Sequence, residues 1–358
     1  MRCFLLCFLL ATTFLNISAE YISKVTIDIY SDDDTFYTFD TDIFEETFHL
    51  DSLEEYLEYA SIFGKTFIDS DDFVNRALIF FENMDFINEH NSEEHNYHLG
   101  WTKFTDMTNE EYTASLLSNF EFNTSDCTNL SSHTEPYTSD LDWRQKNVVT
   151  PVKNQEFCGS CWAFSTTGAL ESYVAIKTGK LTSLSEQQLV DCSMQYGNFG
   201  CFGGLIDQAF RYTINNNGLC SEIDYPYLDE DSTCISDSCE NVPSTNIGNC
   251  YNVPANNEYL LGYGISRQPI SVAIQANSET FQHYIGGVYD DFDCYTGELD
   301  HAVLVVGFND TDTLPYYIVK NSWGESWGED GYIYMARNPQ GTGPGICGIT
   351  LYPSFPSY

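Results

Sequence analysis

Residues 155–165, Gln-Glu-Phe-Cys-Gly-Ser-Cys-Trp-Ala-Phe-Ser, constrain this 358-residue chain more than any other stretch. A second cysteine, Cys161, opens an apolar run from Trp162 to Lys177 that reads as a helix. Gln155 stands just upstream. Much later come Asp300-His301-Ala302 and Lys320-Asn321-Ser322-Trp323-Gly324. A thiol, an imidazole and an amide in that order are the parts of a hydrolase with a cysteine nucleophile. The reactive species is the thiolate, whereas a thiol with a pKa of about 8.5 is mostly protonated at neutral pH. A helix N-terminus at Cys161 and an imidazolium at His301 would both lower that value.

The chain opens Met1-Arg2-Cys3 and runs through an apolar stretch to Ser18-Ala19. This pattern predicts a secretory signal peptide over 1–19, too short for a membrane span. The secretory route permits disulfides. Of 13 cysteines, ten lie from Cys158 onward. With Cys161 kept as a nucleophile the remainder is odd, so one further thiol is expected to be unpaired. A net charge of −39 repels nucleic acid and anionic membranes, excluding both as partners.

Residues 20–53 form an acidic lead-in of unknown role. From 54 the pattern turns helical, and Arg76, Phe80, Asn83, Ile87 and Asn91 share one stripe. Residues 112–138 are polar and are expected to be an exposed linker holding an activation cleavage site. Sequons begin at Asn123, Asn129 and Asn309. Beyond Cys158 the pattern is helical at Trp162–Lys177, Ser185–Cys192 and Leu205–Asn215, with capping-box spacing at Ser185-Glu186-Gln187-Gln188. Strand-like segments follow at Ile270–Gln275, Ala302–Phe308, Tyr316–Lys320 and Gly331–Ala336. Helices first and strands second predict an α+β fold of two subdomains with a cleft between.

The Cys158-Gly159-Ser160-Cys161-Trp162 string, with His301 and Asn321 downstream, resembles the papain-like cysteine proteases, most closely the cathepsin L-type branch. The helical stripe resembles the ERFNIN helix of that branch's inhibitory propeptides, with Asp72 where Glu is usual. Leu99-Gly100-Trp101-Thr102-Lys103-Phe104-Thr105-Asp106 resembles its next motif, with Thr102 in place of Asn, and Asp142-Trp143-Arg144 matches the start of the mature domain. The resemblance implies a small helical propeptide domain over 54–111, then a papain-like two-subdomain fold over 139–358, with a helical left domain, a β-barrel-like right domain and the active-site cleft between. Cys161 would be the nucleophile, His301 its acid–base partner, Asn321 the orienter of His301 and Trp323 the shield of that hydrogen bond. Gln155 would join the Cys161 backbone N–H in stabilising the oxyanion.

By the same resemblance the disulfides are Cys158–Cys201, Cys192–Cys234 and Cys294–Cys347, then Cys220–Cys239, which leaves Cys250 as the odd thiol. Gly203 and Gly204 would bind the substrate backbone. Leu205, Ile206, Ala273, Ala302 and Tyr352 would form an S2 pocket favouring Leu or Val at P2. Glu156 and Phe202 depart from the usual Gly and Asn.

The implied function is a cysteine endopeptidase made as a zymogen, in an acidic lysosome-like vesicle or outside the cell. Its partners would be protein and peptide substrates, its own propeptide and cystatin-like inhibitors. A monomer without cofactor or metal is expected. Two other readings remain open: a catalytically silent binding protein on the same fold, and a thiol acyltransferase.

Overall fold

The computed structural model describes the strand backbones at 28–30 and 36–38 together with residues 50–118, 127–130 and 135–357. The expected signal peptide, most of the lead-in and the sequon at Asn123 lie outside the described residues. Within the lead-in, β1 (Asp28–Tyr30) and β2 (Phe36–Thr38) pair antiparallel.

The chain forms two compact units, to Ala77 and from Leu78. The first holds α1 (Leu50–Ile62) and the start of α2 (Ser70–Asn91). Tyr56 and Phe73 are fully buried, and the rings of Tyr56 and Phe67 each meet Phe73, at 5.2 and 4.9 Å. Asp72 pairs with Arg76 at 3.6 Å, the i,i+4 geometry that the stripe predicts.

In the second unit the rest of α2 leads to β3 (Tyr97–Leu99) and α3 (Asn109–Leu116). Asn83 donates to the carbonyls of Thr105 and Met107, at 2.8 and 2.9 Å. Asn91 exchanges two hydrogen bonds with the Leu99 backbone. A reciprocal box between Thr108 and Glu111 caps α3. Because α3 runs to Leu116, with Tyr112, Leu116 and Ser118 buried, the first residues of the expected exposed linker are packed into the protein.

The remaining elements are β4 (Thr128–Asn129), β5 (Asp140–Asp142), α4 (Cys161–Thr178), α5 (Glu186–Cys192), α6 (Ile206–Asn215), β6 (Asn249–Asn252), α7 (Glu258–Ile265) and β7 (Ile270–Ile274). After them come α8 (Glu279–Gln282), β8 (Tyr284–Tyr289), β9 (His301–Asn309), β10 (Tyr316–Lys320), β11 (Tyr332–Ala336) and β12 (Ser354–Ser357). One sheet runs β3-β8-β11-β10-β9-β7-β12-β6-β4, with β5 against β9. Its two outermost strands, β3 and β4, both come from the chain before residue 139, so that N-terminal part covers both edges.

Strand β9 explains the two subdomains. Side chains alternate along a strand. Ala302, Leu304 and Val306 pack in one apolar cluster with Trp162, Ala169, Leu170 and Phe210 from α4 and α6. Val303 and Val305 join a second cluster with Val272, Val319 and Ile333. α4 is buried from Cys161 to Ala175, as its apolar content on every face requires. A left-handed Gly179 ends it.

The structure pairs Cys158 with Cys201, Cys192 with Cys234, Cys294 with Cys347 and Cys220 with Cys239. Cys250 is not left over: it is bonded to Cys127, and Cys161 is the one free thiol among the described residues. Counting from Cys158 onward leaves out Cys127, which lies in the upstream half of the chain. Strand pairing brings it back, because β4 lies parallel to β6 with Thr128 opposite Tyr251.

Candidate active site

Cys161 is the first residue of α4. Two contacts seat this helix against β9. Gly168 lets Leu304 approach so closely that an added Cβ would lie 2.9 Å from its Cδ2, and Ser165 donates from Oγ to the Val303 carbonyl at 2.7 Å. The backbone N–H groups of Ala302 and Trp162 consequently donate toward the Cys161 thiol. His301 opens β9 and Asn321 follows the end of β10, where Lys320 stands opposite Leu304 in the antiparallel pair. This register brings His301 Nε2 within 2.8 Å of Asn321 Oδ1. The Trp323 ring stacks on the imidazole at 4.7 Å and is itself fully buried.

Gln155 is fully buried. Its Oε1 accepts from Ser322 Oγ at 2.6 Å, which fixes the amide so that Nε2 points the other way. The disulfide to Cys201 pins the following loop at Cys158, and the Tyr227 hydroxyl donates to the Gln155 carbonyl at 2.9 Å. Ser322 and Tyr227 were missed as positioning residues in the sequence. Ser322 was findable, since it lies inside the Asn-Ser-Trp-Gly string.

The Gln155 amide is already engaged. Its Nε2 donates to the Leu116 carbonyl at 3.1 Å and to the Cys158 carbonyl at 3.0 Å. Two residues on, the Ser118 N–H donates to the Asp300 carbonyl at 2.8 Å and Ser118 Oγ donates to the Gly159 carbonyl at 3.1 Å. Gly203 has φ +112°, and a Cβ there would meet Ser118 Cβ at 2.9 Å. Residues 116–118 therefore run over Gln155, Gly159 and Gly203, where a bound peptide was expected to lie. Gly204 serves packing instead: a Cβ on it would strike the Trp162 ring at 2.7 Å.

Burial sets the electrostatics of Cys161 and His301. Burial pushes the Cys161 thiol up to about 12, opposed by the Ala302 and Trp162 N–H groups. Burial likewise holds His301 down at about 4, opposed by its bond to Asn321. Desolvation disfavours the charged form of each group. Cys161 opens α4, but in this covered state burial outweighs the N–H groups that face its thiol.

Further from the thiol, Phe104 and Tyr112 meet Trp323 edge-on at 5.3 and 5.6 Å. Lys103 donates to Asn154 Oδ1 at 2.7 Å and lies 3.7 Å from the Glu156 carboxylate. Glu156 takes φ +49°, the left-handed region that favours the usual glycine. Of the expected S2 residues, Ala273 and Ala302 are register partners across β7 and β9, and Ile206 shares the Ala302 cluster. Leu205 precedes α6, and Tyr352 stays 37% exposed at the margin, with Asp207 in electrostatic reach. Among the described residues no group of three or more His, Cys, Asp or Glu is arranged to hold a metal.

Comparison with known proteins follows the same division. The family described as papain family cysteine protease matches residues 137–357, and the cathepsin propeptide inhibitor domain matches 56–112. A germination-specific cysteine protease of Arabidopsis thaliana is 42% identical over 84% of this chain and 83% of its own length. A digestive cysteine proteinase of Homarus americanus is also 42% identical, over 82% and 91%. The solved digestive procathepsin L 3 of Tenebrio molitor superposes with a TM-score of 0.78 at 37% identity, covering 87% of this chain and all of that one.

Proposed function

The chain belongs to the papain family of cysteine proteases and carries an inhibitory propeptide, and from that premise we propose an endopeptidase whose propeptide holds the catalytic pair uncharged until it leaves. The observation that carries this is the Leu116–Ser118 segment over Gln155 and Gly203.

Once that segment departs, water reaches the cleft and the desolvation that opposes charge is removed. The Cys161 proton then passes to His301, whose Nδ1 has no hydrogen-bond partner while Nε2 is held by Asn321. The thiolate is supported by the α4 N-terminus and by the imidazolium. It attacks the scissile carbonyl, and the oxyanion accepts from Gln155 Nε2 and the Cys161 N–H. His301 gives its proton to the leaving amine. Water then cleaves the thioester, regenerating the thiol and releasing the carboxylic acid. Trp323, stacked on His301, keeps bulk water from the bond to Asn321.

Apolar Ile206, Ala273 and Ala302 support a preference for Leu or Val at P2. The basic-apolar leader and the five disulfides among the described residues support passage through the secretory route. Own-propeptide inhibition accounts for the covered cleft. Protein substrates, cystatin-like inhibitors and a monomeric state complete the reading.

The test is hydrolysis of a fluorogenic peptide with Leu at P2 and Arg at P1, by proprotein brought to about pH 5 and to neutral pH, beside Cys161→Ala. A shortened, active wild type and a silent variant are expected. Processed wild type that turns nothing over, and is not labelled at Cys161 by a thiol-reactive inhibitor, would favour a binding protein on this fold.

A further inference from the structure

The disulfide Cys127–Cys250 joins the pro-region side of the chain to the peptidase sheet across 123 residues. Cys127 is 7% exposed and Cys250 2%. The stretch after Cys127 is built into the fold: β4 extends the sheet beside β6, Asn249 Nδ2 donates to Thr128 Oγ1 at 3.1 Å, and the Leu130 N–H donates to the Asn252 carbonyl at 2.8 Å. β6 is in turn held by β12 near the C-terminus. On the other side, Ser118 is fixed in the cleft, and only eight residues separate it from Cys127. Downstream, Tyr137 already belongs to the peptidase part: Arg337 donates to its hydroxyl at 3.1 Å, and its ring meets Phe308 at 5.4 Å.

We propose that the Cys127–Cys250 disulfide is a second lock on the zymogen, so that cutting the chain between Cys127 and Tyr137 does not release the inhibitory segment. The inference rests on the zymogen reading above. A cut there leaves residues up to the scissile bond attached through sulfur to β6. A tether of eight residues gives its cargo an effective concentration on the order of 1 mM. A pro-segment that binds with a dissociation constant of about 10 µM or tighter then fills the cleft about 99% of the time, so activity stays roughly 100-fold below the released enzyme. Activation needs either a cut between Ser118 and Cys127 or reduction of the bond.

Reduction requires an external dithiol. One of its thiolates attacks one sulfur of the pair and the other sulfur leaves as a thiolate. The second thiol of the reagent closes on the mixed disulfide, so the reagent ends as a disulfide and Cys127 and Cys250 end as thiols. The low exposure of both sulfurs shields the bond from this attack while the β4–β6 pairing stands.

The experiment uses the full proprotein with a site-specific protease sequence placed in the 131–134 stretch, and a second version with the site in the 120–124 stretch. After cleavage at neutral pH, intact mass without reductant should show one covalent species for the first version and two for the second. Dithiothreitol should split the first. Turnover of the Leu-Arg peptide, per titratable Cys161, should be about 100-fold lower in the first version until the bond is reduced. A Cys127→Ser, Cys250→Ser double variant of the first version should separate and gain activity without dithiothreitol. Two species from the unreduced first version would overturn the tether, whatever the double variant does. Equal activity of both cut forms without reductant would overturn the lock. If the version cut before Cys127 stays inactive, the zymogen reading fails rather than the tether.

Discussion

The side-chain amide of Gln155 donates to the backbone carbonyl of Leu116 at 3.1 Å. A donor suited to an oxyanion during catalysis is thus occupied by a carbonyl of the chain's own pro-region. The segment before the peptidase domain thus engages a group proposed to act in catalysis, and the Cys161 thiol is fully buried.

Gln155→Ala should separate the two uses of that amide. In the matured enzyme it should lower kcat by about 10²–10³ with little change in KM, since the donor acts on charge developed in the transition state. Steady-state kinetics normalised to titrated thiol would check this. An equal rise in KM at constant kcat would instead mark Gln155 as a binding group.

Burial of Cys161, which disfavours its thiolate, predicts a silent thiol before activation. With Cys161 pushed up to about 12 by burial, iodoacetamide should modify the proprotein at pH 7 at least about 100-fold more slowly than the matured form. Alkylation rates followed by mass across pH 5–9 would show it, and comparable rates in the two forms would count against the covered-cleft reading.

Phe104 anchors the cover through Trp323, edge-on at 5.3 Å, and is fully buried. Phe104→Ala removes a buried aromatic at a cost of about 3–5 kcal/mol. The proprotein should consequently process itself faster and at higher pH than the wild type, as read by gel and peptide turnover.

Acid should loosen the same region through His90. Burial lowers its pKa from 6.5, and so does the neighbouring His95, stacked at 3.8 Å, while the Tyr97 backbone, Asp291 and Glu93 oppose the shift. The folded state therefore binds protons less readily than the unfolded one. Its stability is intact above about pH 6.5 and falls as pH drops below it. His90→Phe should make the pH dependence of activation shallower by at most about one proton and move its midpoint downward. A pH series of processing rates would measure both.

Much of the site could be read directly. Cys161 at a helix start and the Asn-Ser-Trp-Gly string are local patterns, and the stripe from Arg76 to Asn91 has the helical period. At Ser185 half of the expected capping box forms: Ser185 Oγ accepts from the Gln188 N–H at 3.0 Å, while the Gln188 amide engages Tyr212 and the Cys220 N–H instead of the Ser185 N–H. The disulfide Cys127–Cys250 escaped because the count began at Cys158, and no local pattern shows that β4 will lie beside β6. Likewise, the polarity of residues 112–118 suggested an exposed linker, although Leu116 and Ser118 turn out to be gripped by Gln155, Gly159 and Asp300.

By itself, then, the sequence determined the reactive groups and the helices and strands that carry them, because those depend on residue type and on periods of 2 and 3.6. Only the tertiary structure decided which groups are covered, which cysteine closes on Cys250, and that Cys161 and His301 lie where burial disfavours their charged forms. Those outcomes depend on burial and on contacts between residues far apart in the chain, and desolvation exists only once the chain has folded over them.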